Sequence, residues 1–490
     1  MAGLKQKIAR GAVWTLVEDF GTKGVRFFVS MILARLLTPN DYGSIALITV
    51  FMAIGGVIAD SGLGKALIQK KDATDLDFNS MFYASLALSG TVYAILFFCA
   101  PLVGSFYRSE EVVPILRVFS LSLIFSAING VQNAELMRKM RFDISCKIGI
   151  AGSLVSAASG VLLAYLGWGP WAIVISSLIC SVVVTILKWA MIAWRPQLVF
   201  SFSALRGLFN YGWKLTVASL LETSYQQLSS LFIGRFYSKA DLAYVNRGQA
   251  MPSLLMGSIN GMLGRVTFPA LVQMQDDTTR VRDSMRRIVA VSTFLVFPLM
   301  LGLGICAEDV VRVLYGKQWL EAVPYVRLSC FSFALWPMHT VNLNAIYAVG
   351  RSDIILTLSA IKKVMCFVGL FASVPFGPWW MMAVSSLIIG PISLLVNVYP
   401  NKKLLGYTFW MMMRDVMPCA TVCAAMGAVV VGVRFCCVRA GLEPSRLDMA
   451  FALLVVQAAC GAGVYLALSY GFRLKAFTEY VLAIKAIRSK

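Results

Sequence analysis

Apolar segments long enough to cross a lipid bilayer recur along almost the whole chain of 490 residues. The segments between them are too short to fold as separate domains. Charged residues make up only 14% of the chain, whereas a soluble domain usually carries about a quarter, so there is too little polar surface to cover a globule in water. With about 20 apolar residues needed for each span, the sequence predicts an all-α membrane protein with about 14 transmembrane helices.

The hydropathy pattern also predicts where the helices lie. The first, seventh and eighth predicted helices are the least hydrophobic, because polar residues interrupt them. The predicted ranges are 11–36, 42–60, 80–106, 111–135, 143–167, 170–194, 207–234, 240–264, 288–310, 319–348, 352–375, 378–400, 411–434 and 448–472.

Motifs from the first half of the chain return in the same order in the second half. LGK at 63–65 corresponds to LGR at 263–265, at a shift of about 200 residues. VPxxR at 113–117 corresponds to VPxxR at 323–327, at a shift of about 210 residues. Each half holds six predicted helices, an even number, so both halves begin on the same side of the membrane and form parallel repeats.

Parallel repeats of this kind predict two six-helix lobes around a central cavity that holds the substrate. Two more helices and a basic tail follow the repeat. The tail mixes Lys and Arg with apolar residues and is expected to form a helix on the anionic inner membrane surface. The predicted division is an N-terminal lobe at 1–200, a C-terminal lobe at 201–405, two additional transmembrane helices at 406–472 and a basic cytoplasmic tail at 473–490.

Lysine and arginine are distributed unevenly among the predicted loops. The formal net charge is +20, which in a soluble protein would suggest a nucleic-acid partner, but in a membrane protein Lys and Arg collect in cytoplasmic loops. With the N-terminus inside, the inside segments, including the longest loop near 265–287, hold about three times as many as the outside segments. This predicts a cytoplasmic (inner) membrane protein with both termini cytoplasmic, in contact with membrane lipids and not with nucleic acid. No cleavable signal peptide is expected, because charges interrupt the first apolar stretch.

Two predicted helices carry a polar stripe, and charges within a span usually face a cavity or a partner. The stripe of the first helix comprises Thr15, Glu18, Asp19, Thr22, Lys23 and Arg26. The stripe of the seventh comprises Thr216, Ser219, Glu222, Thr223, Gln226, Gln227, Ser229 and Ser230, with Lys214 near its edge. The stripes either line a water-filled cavity or form a buried network that fixes helix packing. Their recurrence in both halves favours the cavity.

Three arginines are candidates for binding phosphate, because the planar guanidinium group can donate two parallel hydrogen bonds. Arg247 lies within the eighth predicted helix. Arg117 and Arg327 occupy equivalent repeat positions near the start of the fourth and tenth helices. Because both lie near a helix end, they could instead pair with carboxylates or reach the head-group layer.

Four carboxylates are candidates for binding a coupling ion, H⁺ or Na⁺, although each could simply pair with a nearby cation. They are Glu18, Asp19, Asp60 and Glu222. The single histidine, His339, cannot form a multi-histidine metal site, and the cysteines lack zinc-site spacing. We therefore expect no metal, no cofactor and no catalytic residue.

Longer motifs extend over nearly the whole chain. They are RGAxW at 10–14, ILARLLxPxDYG at 32–43, SGLGxALIQ at 61–69, YxNRxQ at 244–249, FPAL at 268–271 and LYGxxW at 314–319. These motifs resemble those of polysaccharide flippases of the colanic-acid/O-antigen type, which belong to the multidrug/oligosaccharidyl-lipid/polysaccharide exporter superfamily. The opening block is the more specific part of the resemblance.

The resemblance implies a fourteen-helix fold that works by alternating access. The implied substrate is an undecaprenyl-pyrophosphate-linked oligosaccharide, moved to the outer leaflet for lipopolysaccharide, capsule or exopolysaccharide synthesis. A polysaccharide polymerase and a chain-length regulator are the expected protein partners.

Two alternatives remain open from the sequence. A multidrug or organic-cation antiporter of the same fold would need an acidic cavity, against which the basic excess within the helices argues. A membrane-embedded polysaccharide polymerase or glycosyltransferase would need a substantial outer loop or an acidic active-site loop, and the sequence has neither.

Overall fold

The computed structural model describes residues 2–441 and 446–480, and the regular secondary structure of this part of the chain is helical throughout. The predicted all-α class is confirmed. The helices of the first half are α1 (Ala2–Leu36), α2 (Pro39–Asp60), α3 (Leu63–Gln69), α4 (Asp75–Tyr107), α5 (Val112–Phe119), α6 (Leu121–Arg138), α7 (Phe142–Tyr165) and α8 (Trp171–Met191).

The remaining helices follow with short connections. A π-helical segment, Val384–Ile389, joins α16 and α17 into one long element. The helices are α9 (Phe202–Phe236), α10 (Lys239–Val272), α11 (Thr278–Ile305), α12 (Ala307–Leu314), α13 (Val323–Ala334), α14 (Trp336–Ala348), α15 (Ser352–Ser373), α16 (Pro378–Ala383), α17 (Gly390–Leu405), α18 (Phe409–Arg439) and α19 (Leu447–Gly471).

Within the described residues, ten helical elements are long and apolar enough to span a membrane. The four other predicted spans are the first, seventh, eighth and tenth. Polar residues lower the hydropathy of α1, α9 and α10, although each is 34 or 35 residues long. The tenth span is divided at Leu335 into α13 and α14, of 12 and 13 residues. The structure is therefore consistent with fourteen helices.

The basic segment near 265–287, expected to be the longest loop, is mostly helical. Helix α10 continues to Val272, and α11 begins at Thr278. The side chain of Asp277 accepts hydrogen bonds from the backbone N–H groups of Thr279 and Arg280, at 3.0 and 3.1 Å. This carboxylate satisfies two backbone donors at the helix start, so α11 begins earlier than hydropathy alone predicts.

Contacts divide the chain into two compact units, 1–243 and 244–490, with the boundary inside α10. In the first unit, α1 packs along α7, α7 packs on α8, and α9 packs on α2, α3 and α4. In the second unit, α11 contacts α13, α14 and α18, and α18 packs along α19. The predicted lobe boundary near residue 200 remains a prediction.

The described start of the tail packs on the protein in the second unit. Phe477 and Tyr480 lie 6.1 and 5.9 Å from the ring of Phe294 in α11, measured between ring centroids. Glu479 forms an ion pair with Arg287 at 2.9 Å. Up to residue 480, the apolar residues of the tail, which were expected to face lipid, therefore pack on α11. Residues 481–490 lie outside the described residues.

Equivalent side-chain pairs occur in both repeats. Thr38 N–H donates to Asp41 Oδ2 at 2.8 Å, and Asp41 N–H donates to Thr38 Oγ1 at 3.2 Å, which caps α2. Ser238 and Asp241 make the same reciprocal bonds at the start of α10, at 3.0 and 3.1 Å. An Arg–Asp ion pair begins both α7 and α15. The repeated motifs therefore produce repeated helix starts.

Candidate functional site

A polar pocket of about 430 Å³ lies in the first unit, between α2, α3 and α9. We call it the polar pocket. Its volume falls in the usual range for small-molecule sites, about 300–1,000 Å³. Its lining residues are Met52, Ala53, Gly56, Val57, Asp60, Gly62, Lys65, Leu215, Thr216, Ser219 and Thr223.

A sharp turn after α2 creates the polar pocket. Ser61 and Gly62 both have positive φ angles, 48° and 63°, so the chain reverses direction before α3. A side chain at Gly62 would come within 2.6 Å of the carbonyl oxygen of Gly212 in α9. Only glycine permits this close crossing of the two backbones. The crossing holds α9 beside the end of α2, with Asp60 and Lys65 on either side of the turn.

The polar groups of this pocket are largely free to bind a ligand. Across the described residues, Asp60, Lys65, Ser219 and Thr223 have no hydrogen bond or ion pair with protein. Thr216 Oγ1 donates to the carbonyl oxygen of Gly212 at 3.0 Å, which leaves its lone pairs available. One carboxylate, one ammonium group and three hydroxyls thus line a single pocket.

The predicted stripe of α1 lies partly against α7. Ser145 Oγ donates a hydrogen bond to Glu18 Oε1 at 3.0 Å, so this carboxylate takes part in helix packing. Lys23 and Arg26 are exposed, and Lys23 has other interactions. The side chain of Asp19 lies outside the described residues. The hydrogen bond to α7 therefore gives Glu18 a role in helix packing. Lys23 and Arg26 are exposed, and their proposed position at a cavity remains a prediction.

A buried lysine belongs to the same region of the first unit. Lys188 in α8 is only 7% exposed, and its Nζ donates to Asn133 Oδ1 in α6 at 2.6 Å. Lys188 lies within the sixth predicted helix, 170–194, and was not among the candidate site residues. Its position within an apolar run is the sequence signal for its burial.

The charged residues of the α9 stripe lie outside the polar pocket. Lys214, Glu222 and Gln226 are exposed, and Gln226 Nε2 donates to Glu222 Oε1 at 3.1 Å. The hydroxyls of the same stripe, by contrast, line the pocket. The structure thus brings the α9 hydroxyls together with Asp60 and adds Lys65 of the repeated LGK motif, which was not among the candidate site residues.

Arg247 is enclosed by aromatic rings in the second unit. It is 9% exposed, and its guanidinium carbon lies 5.1 Å from the ring centroid of Tyr315 and 5.4 Å from that of Trp319. Tyr244 packs edge-on against Trp319, at 6.0 Å between centroids. The NR and LYGxxW motifs therefore meet in one cluster, and these cation–π contacts favour a packing role for Arg247.

The repeat-equivalent arginines have different surroundings. Arg117 Nε donates to the carbonyl oxygen of Phe97 at 3.2 Å, and its guanidinium carbon lies 4.5 Å from the Phe97 ring centroid. Arg327 is exposed and, within the described part of the chain, has no hydrogen bond or ion pair. Arg117 thus stabilises the packing of α5 on α4, whereas Arg327 is available to a ligand.

Arg327 lies at a second cavity, of about 580 Å³, between α11, α13 and α18 of the second unit. We call it the apolar groove. Arg327 is the single charged group in its described lining; the other lining residues are Phe297, Met300, Leu301, Gly304, Ile305, Cys330, Phe331, Ala334, Leu335, Ala420, Cys423, Ala424, Gly427 and Val431. The groove therefore suits a long apolar ligand that carries a negative charge.

Comparison with known proteins identifies a matching family and several related proteins. The family described as "Polysaccharide biosynthesis protein" matches residues 32–324. The teichuronic acid biosynthesis protein TuaB of Bacillus subtilis is 22% identical, over 95% of this chain and 96% of its own length. The succinoglycan biosynthesis transport protein ExoT of Rhizobium meliloti is 26% identical, over 73% of this chain and 72% of its own.

A solved structure shares the fold. The lipid II flippase MurJ superposes with a TM-score of 0.71 at 14% identity, covering 94% of this chain and 98% of its own. At this identity, the likeness establishes the arrangement of helices only. The family match extends over more than half of the sequence. The chain therefore belongs to the polysaccharide biosynthesis protein family.

Proposed function

We propose that this protein moves an undecaprenyl-pyrophosphate-linked oligosaccharide across the cytoplasmic membrane, from the inner to the outer leaflet, by alternating access. The observation that carries the proposal is the apolar groove with Arg327. A polyprenyl chain is apolar along its whole length and ends in phosphate. Fourteen uncharged lining residues and one guanidinium group offer matching chemistry.

The family and its relatives support the saccharide part of this substrate. ExoT is named as a transport protein for succinoglycan biosynthesis, and TuaB as a protein of teichuronic acid biosynthesis. Sugars and pyrophosphate cannot cross hydrocarbon unaided, since unpaired polar groups are costly there. A transporter that shelters the head group while the lipid tail remains in an apolar environment removes this obstacle.

The experiment compares two arginines at equivalent repeat positions. In cells that depend on this protein for polysaccharide export, Arg327→Gln should reduce export about tenfold at equal protein level and cause lipid-linked repeat units to accumulate, because the phosphate loses a charge-assisted partner. Arg117→Gln is the matched control. It should lower thermal stability, because the contacts with Phe97 are lost, and leave export per folded molecule unchanged.

Normal export by Arg327→Gln at equal protein level would contradict the role of the groove. Accumulation of no lipid-linked intermediate in a deletion strain would contradict the proposed substrate. A multidrug antiporter remains the alternative on this fold. The described lining of the apolar groove contains no carboxylate for an organic cation, so we do not favour that function.

A further inference from the structure

We propose that the polar pocket in the first unit is a carbohydrate subsite that holds one sugar ring of the transported glycolipid. The proposal rests on the proposed function, because it assigns the saccharide part of the same substrate to a place in the fold. It assigns hydrogen-bonding roles to Asp60, Lys65, Ser219 and Thr223.

The spacing of the α9 hydroxyls suits a ring with several hydroxyl groups. Thr216, Ser219 and Thr223 are separated by three and four residues, so they lie along one face of the helix. The hydroxyls of Ser219 and Thr223 can each donate one hydrogen bond and accept two, whereas Thr216 already donates to the Gly212 carbonyl oxygen and can only accept. Sugar hydroxyls both donate and accept, so Ser219 and Thr223 can pair with a ring hydroxyl in either sense and Thr216 can accept from one.

Two charged groups face the same space and extend this pattern. The Asp60 carboxylate accepts hydrogen bonds only, and the Lys65 ammonium group donates only. Since neither has a protein partner within the described ranges, a ligand that both donates and accepts would satisfy them together. Hydrogen bonds to charged groups are roughly twice as strong as neutral ones, so these two residues should contribute most to affinity.

Part of the lining of the polar pocket is apolar. Met52, Ala53, Gly56 and Val57 of α2 contribute to it, together with Leu215 of α9. A pyranose ring carries C–H groups on its faces and hydroxyls around its edge. A pocket lined by both apolar and hydroxyl-bearing side chains therefore matches both parts of the ring, and it buries apolar surface as well as forming hydrogen bonds.

The charge balance of the lining argues against a phosphate site. One carboxylate offsets one ammonium group, so the lining residues carry no net charge. A pyrophosphate would be repelled by Asp60, whereas the apolar groove offers it Arg327 with no carboxylate in the described lining. Recognition of phosphate usually relies on a surplus of Arg or Lys. An uncharged, hydroxyl-rich ligand avoids this repulsion, and the sugar is the part of the proposed substrate with that chemistry.

Binding to the purified full-length protein in lipid nanodiscs tests the proposal. The probes are undecaprenyl pyrophosphate bearing one hexose, undecaprenyl pyrophosphate without sugar, and free lactose, each followed by tryptophan fluorescence. Asp60→Asn and the double variant Ser219→Ala/Thr223→Val should each reduce the affinity for the glycosylated lipid about tenfold. This is the effect expected for the loss of one or two hydrogen bonds to the ligand. Binding of the sugar-free lipid should not change.

Matched controls carry the same kinds of substitution outside the polar pocket. They are Asp72→Asn, in the exposed segment before α4, and Ser203→Ala/Ser224→Ala, on α9. Both should bind all probes as the parent protein does. If Asp60→Asn fails to fold, the double hydroxyl variant alone decides, since neither hydroxyl has a protein partner in the described residues.

The outcomes separate the two proposals. If the pocket variants lose affinity for both lipids equally, or lose affinity for neither, the carbohydrate subsite is overturned. If neither lipid binds the parent protein while lactose binding depends on Asp60, the subsite stands and the lipid-linked substrate fails. If no probe binds, both proposals fail. If Arg327→Gln no longer binds either lipid but still binds lactose, the result supports the proposed function independently of the carbohydrate subsite.

Discussion

Single glycines and buried charges determine local geometry in this protein. Gly62 combines a positive φ of 63° with a crossing so close that a Cβ would lie 2.6 Å from the Gly212 carbonyl oxygen. In the second unit, Asp309 is fully buried beside Arg434, at 3.4 Å between Oδ2 and Nε. The backbone crossing depends on the absence of a side chain at Gly62, and the buried carboxylate depends on the side chain of Arg434. A single substitution at either residue should therefore have a large effect on stability.

Gly62→Ala should lower the free energy of unfolding by at least about 1–2 kcal/mol, because the new Cβ is disfavoured at positive φ and meets the α9 backbone. Thermal unfolding in detergent measures the change. Gly207→Ala is the control, since no atom lies within 4 Å of a Cβ at this α9 position. An equal loss of stability in both variants would contradict the close crossing.

Arg434→Gln should destabilise the second unit by up to about 3 kcal/mol, because it leaves the buried carboxylate of Asp309 without its ion-pair partner. Burial raises the pKa of Asp309 even with Arg434 present, so this carboxylate depends on that arginine. Arg439→Gln, on the exposed part of the same helix, should have little effect. The melting temperatures of the two purified variants compare them directly; equal values would rule out this role for Arg434.

At the scale of helices, one ion pair joins three elements of the first unit. Lys239 Nζ, at the start of α10, lies 2.8 Å from Glu111 Oε2. Ser44 Oγ of α2 donates to the same oxygen at 2.9 Å. A Cβ at Gly43 would lie 2.2 Å from the carbonyl oxygen of Lys239. The DYG motif that ends at Gly43 therefore marks a tight helix contact.

This ion pair predicts a pH dependence of stability. Burial alone would raise the pKa of Glu111, but the hydrogen bonds from Lys239 and Ser44 outweigh it and lower the pKa below its ordinary value of 4.5. A carboxylate with a lowered pKa stabilises the folded state above about pH 4.5, and this contribution disappears as the pH falls through the folded-state pKa. Between about pH 6 and about pH 3, the melting temperature of Glu111→Gln should therefore fall less than that of the parent protein.

The matched variant for this comparison is Glu110→Gln, at the neighbouring exposed position. Its melting temperature should follow the parent protein at every pH. If Glu111→Gln also follows the parent curve, Glu111 makes no pH-dependent contribution to folding.

For the whole molecule, the distribution of Lys and Arg predicts cytoplasmic termini. A cysteine placed near the C-terminus should react with a membrane-impermeant maleimide only after the inner membrane is opened. One placed in the segment after Arg439 should react in intact cells, because one further helix separates the two positions. The opposite labelling pattern would reverse the proposed orientation, and with it the direction of transport assigned to the substrate.

Sequence alone predicted the helices, because apolar length and periodicity are local properties. It also predicted the repeat, since equivalent motifs form equivalent helix starts at Thr38–Asp41 and Ser238–Asp241. A boundary was wrong where a side chain intervenes, because Asp277 starts α11 early.

Only the tertiary structure decided what the polar residues do. Arg117 and Arg327 occupy equivalent motifs, yet one is held by Phe97 and the other lines the apolar groove. Asp60 meets the α9 hydroxyls although more than 150 residues separate them along the chain. Hydropathy can place a residue within a helix, but which atoms face it depends on how distant helices cross. For the polar pocket, that crossing requires a glycine on each backbone.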